Sequence, residues 1–560
     1  MTRIDTSMPV SPGFDQLYNR MDATRKMPVN KRIVYLSLQA ILNALVIGVL
    51  AKVLVTLINL VTNLAFHARL SSQPASPAGN HWGWLVIFVP VVGGLLVGLM
   101  ARYGSKAITG HGIPEAMEKI ITGDSKIPPA ITFLKPLSAA ISIGTGGPFG
   151  AEGPIIATGG AFGSFTGQVM HISPAERKII LTAGACAGMS AIFGSPLAAV
   201  LLAIELLLFE FSPRSIIPVA LAAITGAGMH VLFFENAPVF AMAALPVATP
   251  GAIATYVILG LLVGIAATLV SKSVYLVEDL FEKLPIHWMW WPAIGAIAVG
   301  ITGYYAPFTM GVGYDNIRQL LTGQLPLAML LALCFLKFIS WAISLGSGTS
   351  GGTLAPLFTI GGALGALLGM AALRVFPALP ITIAAAGLVG MAAMFAGASR
   401  AFLTSVVFAL ETTGQVNGLL PLMGACAAAY LVSFFLMKGS IMTEKIQRRG
   451  IHTPDSYEPD ILQTANVSRL MTQPPVAGDD LPYVYSSDDA GLAAELMGKY
   501  GQDKVRVLDN RKSRKPVGLI TAAALLKFYS LQKQKDHQYA SPGKTRRVMV
   551  RGRKLMKKIR

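Results

Sequence analysis

Charge is scarce in this chain. Asp, Glu, Lys and Arg together make up 13% of its 560 residues, about half of the roughly 25% typical of a water-soluble domain. A surface wetted on all sides cannot be assembled from so few ionic groups. Cysteine is scarcer still. Cys186, Cys334 and Cys426 each stand alone inside an apolar run, which excludes a disulfide framework and a thiolate metal site. The first 30 residues have no short apolar core ahead of a cleavage site, so a cleaved signal peptide is not expected. Ser/His/Asp constellations, zinc-ligand spacings and Walker-type phosphate loops are also missing, as is a large extramembrane ligand domain. Those absences exclude an enzyme, a metal centre and a receptor. What the chain has in excess is apolar: 53% of residues are hydrophobic and the mean hydropathy is +0.57. It reads as a polytopic membrane protein.

The net charge of +18 is concentrated outside the apolar runs, in an N-terminal arm with Arg20, Arg25 and Lys26 and in the stretch from Lys544 to Arg560. The bias of basic residues toward the cytoplasm predicts that both termini lie there, in a multi-pass plasma or cell inner membrane protein. The basic tail reads equally as an anchor for anionic lipid or as a solvated segment. Nucleic acid is not an expected partner. Four regions follow from the composition: an arm over 1–30, a membrane domain over 31–450, a small module over 465–530 and the basic tail 531–560.

Within the membrane domain some apolar runs are long enough to span a bilayer, such as Trp84–Met100 with its flanks and Ala252–Val270. Others are short and interrupted by Gly or Pro: Ile155–Met170, Ile179–Phe193, Leu197–Phe209 and Phe402–Leu410. Helices that stop inside a membrane are tolerated where their ends are buried or line a polar cavity, so the breaks are where function should be sought. An internal repeat agrees. At a shift of 202 residues Gly150–Pro154 falls on Gly352–Pro356, Gly159–Gly163 on Gly361–Gly365, and Gly188–Phe193 on Gly390–Phe395. After a four-residue insertion, Ala203-Ile204-Glu205 meets Ala409-Leu410-Glu411. The chain therefore divides into two related halves, about 31–235 and 250–450, and transport sites commonly lie where such halves meet.

Three Gly/Pro-rich segments open apolar helices: Gly110-His111-Gly112-Ile113-Pro114, Gly150-Ala151-Glu152-Gly153-Pro154 and Gly351-Gly352-Thr353-Leu354-Ala355-Pro356. Proline suits a first helical turn, where its missing N–H is not needed. Glycine allows close backbone approach and presents successive N–H groups. A helix N-terminus carries roughly half a positive charge, so several aimed at one point bind an anion without a fixed cation. Weak binding of that kind is what conduction requires.

In order and spacing these segments resemble the three signature segments of the CLC family of chloride channels and proton-coupled chloride transporters, and the likeness runs from about Lys31 to Gly450. The resemblance implies an all-α polytopic membrane fold of two inverted repeats of tilted and partial helices. It implies a homodimer with one anion path per subunit, chloride as the transported ion and no cofactor. The anion-binding positions it implies are His111, Gly112, Ile113, Gly153, Thr353, Leu354 and Met442. Glu152, whose repeat mate is Leu354, is the implied gate. Its carboxylate can occupy an anion site, and protonation removes the charge that holds it there. An ionisable group within an apolar stretch is costly and usually functional, which points to the same residue.

Several positions depart from the family pattern. His111 stands where many members have a serine hydroxyl on the central anion, and imidazole can donate an N–H there instead. Met442 stands where many have a tyrosine hydroxyl, so central coordination is left to backbone N–H groups, notably those of Thr353 and Leu354. Ala151 replaces the usual basic residue before the gate. Leu206 follows Glu205 where many exchangers carry an inner glutamate that passes protons to the cytoplasm and channels carry an apolar residue. Leucine cannot relay a proton, which favours passive, channel-like conduction or weak proton coupling. The alternatives are a proton-coupled chloride exchanger or an exporter of another anion such as fluoride or nitrate. Glu205 and Glu411, at matching places in both halves, are expected to be structural. In the C-terminal module, Val467–Met471 and Pro516–Thr521 resemble the two ends of a single CBS repeat, with Ala490–Met497 as its helix. CBS modules usually work in pairs and bind adenine nucleotides; an assembly role without ligand is the expectation for this single copy, and a nucleotide is the alternative.

Overall fold

The computed structural model describes residues 29–234, 237–451, 462, 465–472, 481–510 and 513–540. The arm through residue 28 and the basic stretch from Lys544 to Arg560 lie outside the described residues. The chain divides into two compact units, Met1–Pro454 and Asp455–Arg560.

Among its described residues the first unit is built of helices and the loops that join them. Its elements are α1 (Val29–His67), α2 (Phe88–Tyr103), α3 (Ile113–Thr122), α4 (Ile131–Gly144), α5 (Glu152–Val169), α6 (Pro174–Phe193), α7 (Pro196–Leu202), α8 (Pro213–Phe233) and α9 (Pro250–Glu282). There follow α10 (Trp291–Tyr305), α11 (Tyr314–Leu320), α12 (Leu327–Leu331), α13 (Lys337–Gly346), α14 (Leu354–Val375), α15 (Ile383–Ser399), α16 (Phe402–Thr413), α17 (Leu419–Leu436) and α18 (Glu444–Arg448). Among the described residues, seven helical stretches are long and apolar enough to cross a membrane, including Lys31–His67, Gly83–Tyr103 and Pro250–Glu282. Their outward faces keep large apolar side chains exposed, such as Leu38, Leu42 and Leu269. Water would disfavour such a surface and lipid accepts it. The molecule is a multi-pass membrane protein.

Between these long helices lie short ones that cannot span a bilayer alone: Ile131–Gly144, Pro196–Leu208, Ile383–Ser399 and Phe402–Thr413. They start where the sequence dictates. Proline follows the N-cap of α6 and of α7. α6 also carries a capping box, in which Ser173 Oγ accepts from Glu176 N at 3.2 Å while the Glu176 carboxylate accepts from Ser173 N at 3.1 Å. Small residues bring the paired helices α5/α6 and α14/α15 into backbone contact, at Gly159 against Gly184 and at Gly361 against Gly390.

The two halves are inverted copies. Gly150 and Gly352, equivalent by the 202-residue shift, form an antiparallel bridge with each other. Equivalent residues pair antiparallel only when a local two-fold axis passes between them. A crossed pair of caps repeats the symmetry farther along. Glu205 accepts from the N–H groups of Leu403 (2.8 Å) and Thr404 (2.9 Å) at the start of α16. Glu411 accepts from those of Leu197 (3.0 Å) and Ala198 (2.8 Å) at the start of α7. Each half thus caps a helix of the other.

Two expectations needed adjustment. The segment Gly110–Pro114 opens not an apolar helix but the amphipathic α3, whose Glu115, Glu118 and Lys119 lie opposite buried Ile113, Ala116 and Met117. The run Ala252–Val270 is the N-terminal part of the 33-residue α9, which continues through Glu278 and Asp279; a hydropathy pattern marks the apolar part of a helix, not its polar end.

The second unit is a small α/β module. A three-stranded sheet has the order β1 (Tyr483–Tyr485), β2 (Lys504–Leu508), β3 (Pro516–Thr521). The first pair is parallel and the second antiparallel. The helix Ala490–Tyr500 makes the crossover between β1 and β2, capped by Asp489 at its start and ended by Gly501 in the left-handed region. Val467, Val484, Ala493, Val505 and Ile520 form the core.

Candidate anion site

Three loop-to-helix junctions meet at one point. Gly110 bridges Ser350 in parallel and Gly150 bridges Gly352 antiparallel, with Gly352 N–H donating to the Gly150 carbonyl at 3.1 Å. The approach is close enough to demand glycine: a Cβ on Gly153 would stand 2.5 Å from the His111 carbonyl oxygen and 2.8 Å from Gly352 Cα. That single position touches the first and third segments from within the second. Gly112 has φ +91°, a region that side-chain-bearing residues rarely enter. The starts of α3, α5 and α14 therefore converge, as the spacing of the motifs led one to expect, and their first-turn N–H groups have no partner inside their own helices.

Glu152 opens α5 and is fully buried. Its Oε1 accepts from Ala355 N–H at 2.8 Å, in the first turn of α14, and its Oε2 accepts from the Tyr314 hydroxyl at 3.2 Å. A carboxylate from one half thus rests on the N-terminus of the equivalent helix of the other half, where an anion is favoured by the helix dipole.

The other positions singled out from the sequence divide into groups. Thr353 and Leu354 are buried at the junction, and the Thr353 Oγ1 has no hydrogen-bond partner. His111 is buried too, and its Nδ1 likewise lacks a partner. Buried polar atoms are costly when unsatisfied, so both suit a ligand that accepts a hydrogen bond. Ile113 is buried at the first turn of α3. The Gly112 N–H, in contrast, is already engaged by Glu115 Oε2 at 2.8 Å. Met442 is buried, its N–H donates to Ser440 Oγ at 3.2 Å, and its thioether has no donor, so it offers a wall and not a ligand. Leu206 lies in the π-helical turn Ala203–Leu208, buried, and presents no atom that can carry a proton. Ala151 adds no charge beside Glu152. Among the described residues no cluster of His, Cys, Asp or Glu has the makings of a metal site.

The structure adds residues that the motif reading passed over. Lys135 is fully buried, and its Nζ donates to the carbonyls of Ile108 (2.7 Å) and Gly110 (2.8 Å), fastening the first segment. Lys337, its equivalent at the same 202-residue shift, is also fully buried and donates to the Thr309 carbonyl at 3.0 Å. The signal was in the sequence, since Lys135, Ser138 and Ser142 match Lys337, Ser340 and Ser344. Both lysines are hydrogen-bonded to carbonyls and not to a carboxylate, while Glu115 acts electrostatically on Lys135 and Glu152 on Lys337, so cationic charge at these positions favours an anion nearby. Glu115, besides capping α3, pairs with Lys445 at 3.4 Å, tying the loop of Met442 to the first segment. Tyr314 stands in no motif, and only the folded chain shows its bond to Glu152.

A cavity of about 900 Å³ reaches this region, lined in part by Ala151, Ile192, Tyr314 and Arg318. Glu152 is not part of its wall.

Comparison with known proteins agrees with this geometry. Residues 93–434, more than half of the chain, match the model of the family described as voltage gated chloride channel. The H(+)/Cl(−) exchange transporter ClcA of Klebsiella pneumoniae is 28% identical over 447 residues, covering 77% of this chain and 92% of the relative. The crystal structure of a slow cyanobacterial Cl−/H+ antiporter superposes with a TM-score of 0.66 at 23% identity, covering 74% of this chain and 97% of that one. A CLC-type fluoride/proton antiporter gives a TM-score of 0.57, also at 23% identity, over 73% and 97%. At those identities the two structures speak for the fold alone. From the family match and the converging helix starts together, the chain belongs to the CLC family.

Proposed function

We propose that this protein carries chloride across the membrane along one path per subunit, with Glu152 as its gate. The observation that supports the reading is the Glu152 carboxylate resting on Ala355 N–H, at the N-terminus of the opposite half's helix. An anion site built of helix starts is there held by the protein's own anion. Chloride competes for it when the carboxylate is displaced or protonated. Thr353, Leu354, Gly153 and Ile113 contribute first-turn amides, and His111 and the Thr353 hydroxyl complete the coordination where other members use serine and tyrosine. Leu206 breaks the inner proton route, so conduction is passive or only weakly coupled.

A second reading, proton-coupled exchange, is favoured by the name of the Klebsiella relative, an H(+)/Cl(−) exchange transporter. Fluoride or nitrate as the main cargo is a variant of either, raised by the missing hydroxyls. We further propose that the molecule is a homodimer in the plasma or inner membrane with cytoplasmic termini. The module 465–530 then acts as a CBS-like assembly element, paired between subunits. Purified protein in liposomes, with chloride efflux, external pH and competing anions followed together, separates these readings. Passive conduction predicts chloride flux with no uphill proton movement, and Glu152→Gln flux that no longer varies with pH. Protons driven against their gradient by chloride would defeat it.

A further inference from the structure

We infer that Tyr314 is the latch of the gate: its hydroxyl holds the Glu152 carboxylate in the anion site and closes that site off from the adjoining cavity. The inference rests on the gating role proposed for Glu152 and extends it to a residue outside every signature segment.

Two independent observations carry it. The first is the hydrogen bond from Tyr314 Oη to Glu152 Oε2, 3.2 Å long, which complements the Ala355 N–H bond to Oε1. Both carboxylate oxygens are thereby held, one by the helix start and one by a side chain. The second is position. Tyr314 and Ala151 line the cavity of about 900 Å³, whereas Glu152 behind them is fully buried. The tyrosine ring is itself fixed, packed against Phe193 and Phe240 with centroids 5.7 Å away in each case. Phe193 in turn meets Phe408 at 4.9 Å. A ring held on two sides aims its hydroxyl in one direction at little entropic cost.

The charged or titratable groups that face Glu152 are few. Tyr314 comes from α11, and Lys337 of α13 acts on it electrostatically while its Nζ is bonded to the Thr309 carbonyl. The lysine attracts the carboxylate without touching it. The tyrosine is the group that discriminates between protonation states. A phenol donating to a carboxylate makes a charge-assisted bond that weakens when the acid is protonated. The latch therefore releases at the moment the gate is neutralised, and the path to the cavity opens on the same event. Tyr314 is a positioning residue: it acts through Glu152, not on chloride.

The test is the pH dependence of chloride efflux from liposomes containing full-length protein. Tyr314→Phe keeps the ring and removes the hydroxyl. The pH of half-maximal flux is expected to move upward by about one unit, a tenfold gain in proton affinity or roughly 1.4 kcal/mol. In a Glu152→Gln background the same substitution should change nothing. A Tyr314→Phe profile that overlays the wild type or moves to lower pH overturns the latch, and so does any effect in the Glu152→Gln background. Infrared difference spectra of the wild-type protein across the pH range give a second readout that needs no tyrosine variant. A tyrosine C–O band should shift together with the Glu152 carbonyl band, and both should vanish in Glu152→Gln. A carbonyl band without a tyrosine partner overturns the latch. Failure of the gate itself looks different: Glu152→Gln would retain the native pH profile. A flat Glu152→Gln profile beside an unmoved Tyr314→Phe profile overturns the latch alone.

Discussion

Glu205 and Glu411 are half-buried acids in a transport protein, and the crossed caps assign them to stability and not to the ion path. The decisive perturbation is glutamine at each position. Glu411 holds two backbone N–H groups at the start of α7 with its two oxygens, at 3.0 and 2.8 Å. Glutamine keeps one acceptor and turns an NH₂ group toward the other N–H, leaving a donor without a partner. That costs about 1–3 kcal/mol in a buried site, and loss of the negative charge at a helix start adds roughly 0.3–1 kcal/mol. The expected loss is about 1.3–4 kcal/mol by those two terms. Glu205 has a third donor, the Thr404 hydroxyl at 2.6 Å, so Glu205→Gln should fall at the top of that range. Denaturant unfolding in detergent, followed by tryptophan fluorescence, reads the loss. The protein that remains folded should conduct chloride with the wild-type pH profile. Unchanged stability in either variant, or an altered pH profile in a fully stable one, would refute the structural assignment.

The junction of the three segments makes a second prediction. Gly153→Ala places a methyl 2.5 Å from the His111 carbonyl, and because every atom it meets is backbone, flux should be lost along with about 1–3 kcal/mol of stability. Gly160→Ala, whose new methyl would find Leu181 at 3.5 Å, is the control that should conduct normally in the same efflux assay. At the inner proton position, Leu206→Glu should cost about 2.5–3.5 kcal/mol for an acid within an apolar surround, and should introduce proton movement coupled to chloride, seen as external pH change during efflux. Absence of any coupled proton signal in stable Leu206→Glu protein would show that the residue is not on a proton route.

Legibility followed the range of each constraint. The starts of α5, α7 and α14 were readable because Gly and Pro act locally, on the turn in which they stand. The two-fold relation was readable because a shift of 202 residues keeps those turn residues in register. Its inverted sense came from the family resemblance and not from the shift itself, since sequence identity is silent on direction; the antiparallel Gly150–Gly352 bridge agrees with it. Gly112 and Met442 were expected to face an anion by position in their motifs. Their N–H groups instead satisfy Glu115 and Ser440, a choice made by local hydrogen bonding that no motif encodes. Tyr314 was invisible because it lies 162 residues from Glu152 in sequence and no repeat or signature marks it. Lys135 and Lys337 were legible in principle, since the 202-residue repeat extends before Gly150 and pairs them.

Gating by Glu152 requires helix starts from both halves to converge on one point where an anion and the Glu152 carboxylate exclude each other. Anomalous diffraction from Glu152→Gln crystals grown in bromide tests this directly. A bromide peak within hydrogen-bonding distance of Ala355 N–H, in the place the Glu152 carboxylate takes in the wild type, is the predicted result. Bromide bound elsewhere, with the region around Ala355 N–H empty in both proteins, would contradict it.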